Sequence, residues 1–210
     1  MTVMAPVTRK ERWNMPLPNE KNENRHTIEE IYALPDGKRA ELINGVIYDM
    51  APPSRIHQRI VIQISSFINQ YIETAGGRCE VYVAPFAVFP GAGKKTEDTG
   101  ADMTNSGDTY VEPDISVICD PEKLSDRGCE GAPDWVIEVV SGSSIERDYF
   151  IKLMKYRETG VRSYWIVDPA KRVVRVYDFM NGDETRDYFF EEKIPAAIYP
   201  GFGIRIADHV

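Results

Sequence analysis

The sequence predicts a mixed α/β fold in one domain, with helices packed on a central sheet. Three observations lead to this prediction. Asn44-Gly45 separates two short apolar segments, which is the strongest local signal for a β-hairpin. The segment that begins at Ser54 carries apolar residues at helical spacing, and Gly76-Gly77 ends it. Residues 110–119 and 134–140 form two short, strongly apolar runs, as buried strands do.

Composition limits the class of protein. The chain has 210 residues, which is enough for one domain with a hydrophobic core and short for two. Hydrophobic residues make up 42% and charged residues 28%, which is typical of a folded globular protein. No run approaches the ~20 apolar residues of a membrane span. Residues 1–10 lack the apolar core of a secretory signal. We therefore expect a cytoplasmic protein that does not enter a membrane. The net charge of −8 argues against tight, non-specific DNA binding, because proteins that grip phosphates usually present a basic face.

The cysteines support the same class. Cys79, Cys119 and Cys129 are an odd number, and no two of them have the C-x-x-C spacing. We therefore expect neither a disulfide framework nor a structural zinc site. Cys119 lies in an apolar run, which favours a buried and inert thiol.

The N-terminal part divides into an arm and the start of the domain. Residues 1–26 are predicted to be a flexible arm, because they are polar, contain several prolines and have no apolar period. The folded domain is predicted to cover residues 27–210. Thr27 and Glu30 form a capping-box pattern, which predicts a short helix that ends near Leu34-Pro35.

Beyond the long helix, the pattern predicts extended segments, one loop and a second helix. Residues 79–89 are expected to be extended with an interruption at Pro85. Residues 91–109 are rich in Gly, Asp and Thr and are expected to form a long exposed loop. The remaining predicted elements are a helix over residues 143–158 closed by Gly160, strands over 161–167 and 172–177, and an edge element over 196–206.

Two carboxylates stand in apolar segments where a plain core strand would not carry them. Asp114 interrupts the first run and Glu138 the second, and by the two-residue period of a strand Glu138 shares a face with Val136 and Val140. A carboxylate among apolar neighbours is costly unless it is paired. A divalent cation is a suitable partner, because hard cations prefer oxygen ligands. The alternative is an edge strand in which Glu138 is solvated or paired with an arginine.

The second predicted helix places Asp148, Lys152 and Lys155 on one stripe. One interpretation is a solvated Asp–Lys pair, which contributes about 0.3 kcal/mol to helix stability and is very common. The other interpretation has Lys152 extend over the end of the Glu138 strand. There its amine would orient a water molecule or stabilise developing negative charge.

Six short segments follow one another in a specific order along the chain. They are residues 41–45 (ELING), 54–58 (SRIHQ), 112–117 (EPDISV), 131–141 (GAPDWVIEVVS), 148–156 and 160–169 (GVRSYWIVDP). Together they closely resemble the Uma-two family of restriction endonucleases, which belongs to the PD-(D/E)xK nuclease superfamily. The resemblance covers residues 27–206.

This resemblance implies a restriction-endonuclease-like fold, with a mixed central β-sheet flanked by helices, that uses Mg²⁺ or Mn²⁺ to hydrolyse DNA. Asp114 and Glu138 match the acidic residues of the motif and would be metal ligands. Glu41 matches an early glutamate of the family and would be a third acidic contributor. His57 and Gln58 match a His-Gln pair that would face the same site, although for His57 an ordinary capping or surface histidine is an open alternative.

The chain departs from the superfamily pattern at one position. The lysine expected two residues after the acidic residue is replaced by Val140. Some branches of the superfamily supply this lysine from the following helix, and the resemblance implies that Lys152 has this role.

Two functions follow as alternatives. The first is a metal-dependent endonuclease that hydrolyses DNA phosphodiester bonds. The second is a catalytically weak or inactive nuclease-fold protein that acts in nucleic-acid or protein binding, which the negative charge and the missing lysine motivate. A homodimer is a further expectation, because two-fold dimers are the commonest oligomers and nucleases of duplexes often pair.

Overall fold

The structure, a computed structural model, describes residues 25–92, 109–142 and 144–208. The predicted arm, residues 1–26, lies outside these ranges except for its last two residues. Of these, His26 donates a backbone hydrogen bond of 2.9 Å to the carbonyl of Gly45. Most of the predicted loop over residues 91–109 also lies outside the described residues.

The described residues alternate between short strands and a few helices. In chain order the strands are β1 Ala40–Ile43, β2 Val46–Asp49, β3 Glu80–Val83, β4 Val88–Phe89, β5 Ile115–Ile118, β6 Leu124–Ser125, β7 Gly128–Glu130, β8 Trp135–Val139, β9 Ser163–Asp168, β10 Val173–Asp178, β11 Glu184–Phe189, β12 Ile194–Pro195 and β13 Gly203–Ile204. The helices are α1 Ile28–Tyr32, α2 Arg55–Thr74 and α3 Leu153–Thr159, which continues a π-helical segment, Arg147–Lys152. Short 3-10 turns occupy Pro121–Lys123 and Ile206–Asp208.

A six-stranded mixed sheet forms the centre, in the order β11-β10-β9-β8-β5-β3. Strands β8 and β9 are parallel, and the other neighbours are antiparallel. The register places Ile115 of β5 opposite Ile137 of β8. The two apolar segments that carry the acidic residues are therefore neighbours in one sheet, as the sequence predicts.

Helices cover both faces of this sheet. On one face, Trp135 and Ile137 belong to the same buried cluster as Ile64 and Ile68 of α2. On the other face, Val136 belongs to a buried cluster with Tyr156 of α3. Alternate residues of β8 thus pack into two separate cores, which is why this strand is apolar on both faces apart from Glu138. The predicted α/β architecture, a mixed central sheet flanked by helices, is confirmed.

Local chemistry accounts for the elements at the N-terminal side of the site. Asn44 and Gly45 have φ values of 52° and 78°, the left-handed conformations that a two-residue hairpin turn requires. The Ser54 hydroxyl accepts a hydrogen bond from the backbone N–H of His57 and caps α2. The predicted hairpin, the predicted long helix and the Thr27 capping box are all present.

The strands of the structure differ from the predicted strands in four respects. The strand predicted over residues 110–119 begins only at Ile115, so Asp114 precedes it instead of interrupting it. The C-terminal segment, expected to supply an edge element, contributes β13, which pairs with β12 in a separate two-stranded sheet. Strand β11 was not predicted, because its residues other than Tyr188 are exposed and its sequence shows no apolar alternation. The small sheet β4-β7-β6 was also not predicted.

The expectation that Cys119 is a free thiol is wrong as well. Cys79 and Cys119 form a disulfide. In the antiparallel pair of β3 and β5, Glu80 lies opposite Ile118, so the two cysteines are the next facing pair of this register. Only the pairing of the strands brings them together, and no sequence spacing reveals it. Cys129 is a free, buried cysteine.

Among the described residues, no helix combines the length and the apolar composition that crossing a membrane requires.

Candidate functional site

A cleft of about 100 Å³ opens beside the hairpin, at the ends of β5 and β8. Its walls also include the first turn of α2 and the π-helical segment. All the site residues predicted from the sequence line this one cleft, and they are Glu41, His57, Asp114, Glu138 and Lys152. The fold therefore brings together residues from five separate parts of the chain.

Asp114 and Glu138 are held side by side by crossed hydrogen bonds. The backbone N–H of Asp114 donates to Glu138 Oε2 at 3.3 Å. The backbone N–H of Val139 in turn donates to Asp114 Oδ2 at 2.8 Å. Because both donors are main-chain groups at neighbouring strands, the positions of the two carboxylates follow directly from the pairing of β5 with β8.

Lys152 lies at the centre of the acidic residues. Its Nζ donates to Glu138 Oε1 at 2.8 Å and lies 2.7 Å from Glu41 Oε1 and 3.7 Å from Asp148 Oδ1. Only 4% of its side chain is exposed. The interpretation of Lys152 as part of a solvated helix pair is therefore wrong, and its amine does reach Glu138. Val140, at the position where the superfamily pattern has lysine, is buried in the apolar cluster.

Burial and crowding shift the ionisation of these groups. Burial alone would lower the pKa of Lys152, but the charges of Glu138, Glu41 and Asp148 outweigh it and hold the pKa well above its usual value. Burial raises the pKa of Glu138 to about 8; Lys152 opposes this shift, and the neighbouring carboxylates of Asp148, Asp114 and Glu41 add to it. The cleft thus concentrates more negative charge than its lysine compensates.

Glu41 links the hairpin to the π-helical segment. It lies in β1 and is fully buried. Its Oε1 accepts a hydrogen bond of 3.1 Å from the backbone N–H of Glu112 and contacts Lys152. Its Oε2 lies 3.4 Å from Arg147 Nε, and no described residue forms a hydrogen bond with either of these two atoms.

His57 faces the site from the first turn of α2. Its Nε2 lies 3.0 Å from Asp114 Oδ2, and its side chain is largely buried. Its backbone N–H is at the same time the group that Ser54 caps. Its side chain is therefore neither a surface nor a capping histidine, since it contacts a predicted metal ligand.

Three further residues, which the sequence did not single out, line the cleft or contact the residues that line it. Tyr156 donates a hydrogen bond of 3.0 Å to Glu138 Oε1. Asp148 is buried beside Lys152. Asp148, Lys152 and Tyr156 follow a spacing of four residues, so a shared helix face was the available signal. No sequence signal indicated Arg147.

The donor chemistry of the cleft suits a divalent cation. Five carboxylates line it against three guanidinium or ammonium groups. They are Glu41, Glu112, Asp114, Glu138 and Asp148, against Arg39, Arg147 and Lys152. Carboxylate oxygens are the ligands that Mg²⁺ prefers, and a site with one or two of them is usual because water and substrate oxygens complete the shell.

The described parts of the chain contain no group of three His, Cys, Asp or Glu side chains arranged to hold a metal ion by themselves. Asp114 and Glu138 are adjacent, whereas Glu41 is already engaged by Lys152 and by the backbone of Glu112. The metal site of Asp114, Glu138 and Glu41 stays a prediction.

Comparisons with known proteins agree with the resemblance seen in the sequence. The family model Uma2, described as "Putative restriction endonuclease", matches residues 28–207. Among solved structures, the crystal structure of a putative nuclease from Anabaena variabilis is similar, with 21% sequence identity and a TM-score of 0.65. The match covers 87% of this chain and 96% of that chain, and it shows a common fold. No curated protein matches the chain.

Proposed function

Because the chain belongs to the Uma2 family, we propose that it is an endonuclease that hydrolyses DNA phosphodiester bonds with the help of a divalent cation. The observation that carries this proposal is the adjacency of Asp114 and Glu138, which are joined by the 3.3 Å hydrogen bond from the Asp114 N–H to Glu138 Oε2. Both residues line a cleft in which Lys152 also donates to Glu138. Two adjacent carboxylates can hold a catalytic cation, and an ammonium group beside them can stabilise negative charge that develops in phosphoryl transfer.

The cation would be Mg²⁺ or Mn²⁺, held by Asp114 and Glu138, with Glu41 as a third acidic contributor. When bound, it would neutralise charge on the scissile phosphate and lower the pKa of a water molecule. Burial, and to a smaller extent the neighbouring carboxylates, raises the pKa of Glu138, and a bound cation would favour its charged form.

The reaction consumes one water molecule. The water oxygen bonds to phosphorus, one ester bond between phosphorus and a sugar oxygen breaks, and that sugar oxygen takes up a proton. Lys152 would orient the attacking water or stabilise the negative charge that develops on the phosphate oxygens. Lys152 and Tyr156 both donate to Glu138 Oε1, so the other oxygen, Oε2, remains directed at the N–H of Asp114. His57 would hold the Asp114 carboxylate in its orientation.

One structural feature favours a second candidate function, nucleic-acid or protein binding without cleavage. The charge of Lys152 is already shared among three carboxylates, and its side chain is almost fully enclosed. An ammonium group in that position can stabilise the fold without taking part in a reaction. A binding protein with the same cleft is therefore the alternative that the experiment has to separate.

The test is the nicking of supercoiled plasmid DNA in the presence of Mg²⁺ or Mn²⁺. Wild type is compared with the isosteric variants Asp114→Asn and Glu138→Gln and with Lys152→Met. Asp187→Asn is the matched control, because Asp187 is an exposed carboxylate paired with Arg175 away from the cleft.

We expect cleavage that depends on the metal, falls by about 10²-fold or more in the three cleft variants, and persists in Asp187→Asn. Normal cleavage by both Asp114→Asn and Glu138→Gln would contradict the proposal. Wild type that binds DNA but never cleaves it would support the binding function.

A homodimer belongs to the same proposal, since two copies of the cleft would place one active site on each strand of a duplex. Sedimentation equilibrium of the wild type, with and without duplex DNA, measures this directly. A mass of one chain under both conditions would contradict the dimer.

A further inference from the structure

We propose that Arg147 binds a phosphate group of the nucleic-acid substrate. Of the three cations that line the cleft, it is the one with the weakest contacts to carboxylates. This inference rests on the proposed function and adds a substrate-binding residue to the same site. Arg147 is the first residue of the π-helical segment, and its side chain lines the cleft together with Asp114, Glu138 and Lys152.

The other two cations of the cleft are already engaged. Both Nε and Nη2 of Arg39 donate to Glu112 Oε2. Lys152 contacts three carboxylates, and only 4% of its side chain is exposed. A phosphate group that bound through these same donors would have to displace a carboxylate.

Arg147 is held more loosely. Its Nε lies 3.4 Å from Glu41 Oε2, and within the described residues neither atom has a hydrogen-bond partner although both are buried. Its Nη1 donates to the carbonyl of Asp49 at 3.4 Å, a long contact for such a bond. Its side chain is 16% exposed, so part of it reaches solvent.

The surroundings orient this guanidinium, and its ion pair with Glu41 at 3.4 Å leaves most of its N–H donors unused. The Tyr48 ring lies 5.9 Å from the guanidinium carbon, and the Asp49 carbonyl contacts the same group, so the end of β2 holds it in place. A guanidinium group presents several N–H donors in a plane that matches two oxygens of a phosphate. Arg147 therefore has the position, the charge and the unused donors that phosphate binding needs.

The test is the salt dependence of DNA binding, measured by fluorescence anisotropy with a short labelled duplex. Ca²⁺ replaces Mg²⁺ so that cleavage does not interfere, and the salt concentration varies between about 50 and 200 mM. The variants are Arg147→Met, Arg147→Lys and, as a matched control, Arg157→Met. Arg157 lies on the adjoining helix α3, is exposed and pairs with Asp183.

Arg147→Met should weaken binding at least tenfold and reduce the slope of log K against log salt by about 0.9, the value for one lost phosphate contact. Arg147→Lys keeps the charge, so it should keep most of the slope while losing affinity. Arg157→Met should match wild type. Because Arg147→Lys preserves the charge beside Glu41, it separates a lost phosphate contact from a disturbed fold.

A wild-type slope in Arg147→Met, in a protein that binds DNA, would overturn this inference and leave the nuclease proposal intact. Wild type that binds no duplex at any salt concentration would overturn both. If the slope falls in Arg147→Met but the wild type never cleaves DNA, the phosphate contact is supported and only the proposed hydrolysis is contradicted.

Discussion

The amine of Lys152 lies 2.7 Å from Glu41 Oε1 and thereby joins the helical segment on one side of the cleft to the hairpin on the other. The same amine donates to Glu138 Oε1 at 2.8 Å, so one buried cation holds two carboxylates from different strands. Glu41 in turn contacts Arg147 through its second oxygen. A continuous chain of polar contacts thus runs from Arg147 through Glu41 and Lys152 to Glu138.

Removal of the Lys152 amine should strongly destabilise the fold. Lys152→Met keeps the aliphatic stem but leaves buried carboxylates without their cation, which costs about 3–5 kcal/mol of unfolding free energy. The matched control is Lys155→Met, because Lys155 is also buried but its ion pair within the described residues is with the exposed Glu158. Urea unfolding followed by circular dichroism measures both variants. Equal losses in the two variants would contradict a special role of Lys152.

Loss of the Tyr156 hydroxyl should also destabilise the protein, but less. Tyr156→Phe removes a hydrogen bond to the buried Glu138 carboxyl group, which is worth about 1.5–3 kcal/mol above pH 8, where this acceptor is charged. Tyr199→Phe is the matched control, since the Tyr199 hydroxyl is buried and has no hydrogen-bond partner among the described residues. Removal of that hydroxyl should leave the stability unchanged or slightly higher. If Tyr199→Phe proves the more damaging variant, the hydrogen bond to Glu138 contributes little.

Metal binding should be visible as a change in thermal stability, independently of any activity. Mn²⁺ at about 100 times its dissociation constant adds about 2.7 kcal/mol to the stability of the folded state. For a domain of this size that is about 5–10 °C in melting temperature. Asp114→Asn should abolish this shift and Asp187→Asn should retain it. An equal shift in Asp114→Asn would place the cation elsewhere on the protein.

His57 should tune the metal site through its contact with Asp114. Groups that orient a ligating carboxylate typically change metal affinity by about 10–100-fold when removed. We therefore expect His57→Ala to weaken Mn²⁺ binding by that factor in a calorimetric titration. His26→Ala is the matched control, because His26 is exposed and pairs with Glu30 far from the cleft. Unchanged affinity in His57→Ala would mean that Asp114 needs no such support.

The disulfide predicts a specific thiol count. Under non-reducing conditions the unfolded chain should expose one reactive thiol, that of Cys129. After reduction it should expose three reactive thiols. In the folded protein even this thiol should react slowly at pH 8, because burial raises the pKa of Cys129 to about 11 and the thiolate is the reactive form. Its reaction rate should rise as the pH approaches that value. Three thiols in the unreduced, unfolded chain would exclude the Cys79–Cys119 bond.

Several elements could be predicted from the sequence because their causes are local. The Asn44-Gly45 turn needs two residues that adopt positive φ, and the start of α2 needs a capping side chain at Ser54. In the same way, Asp114 and Glu138 stand out because a charged side chain within an apolar segment needs a partner. The sequence alone therefore identified these two carboxylates as candidate site residues, and the order of six short segments indicated the family.

The tertiary structure decided everything that depends on contacts between distant segments. Spacing alone favoured a solvated Lys152, and only the packing of its helix on the sheet brings the amine to Glu41 and Glu138. Strand pairing likewise joins Cys79 to Cys119, and the approach of the π-helical segment to the hairpin brings Arg147 to Glu41. The sequence therefore determined which residues carry charge and where turns and helices begin. Which charges meet was decided by packing, because the energy of a buried ion pair depends on distances that no local pattern encodes.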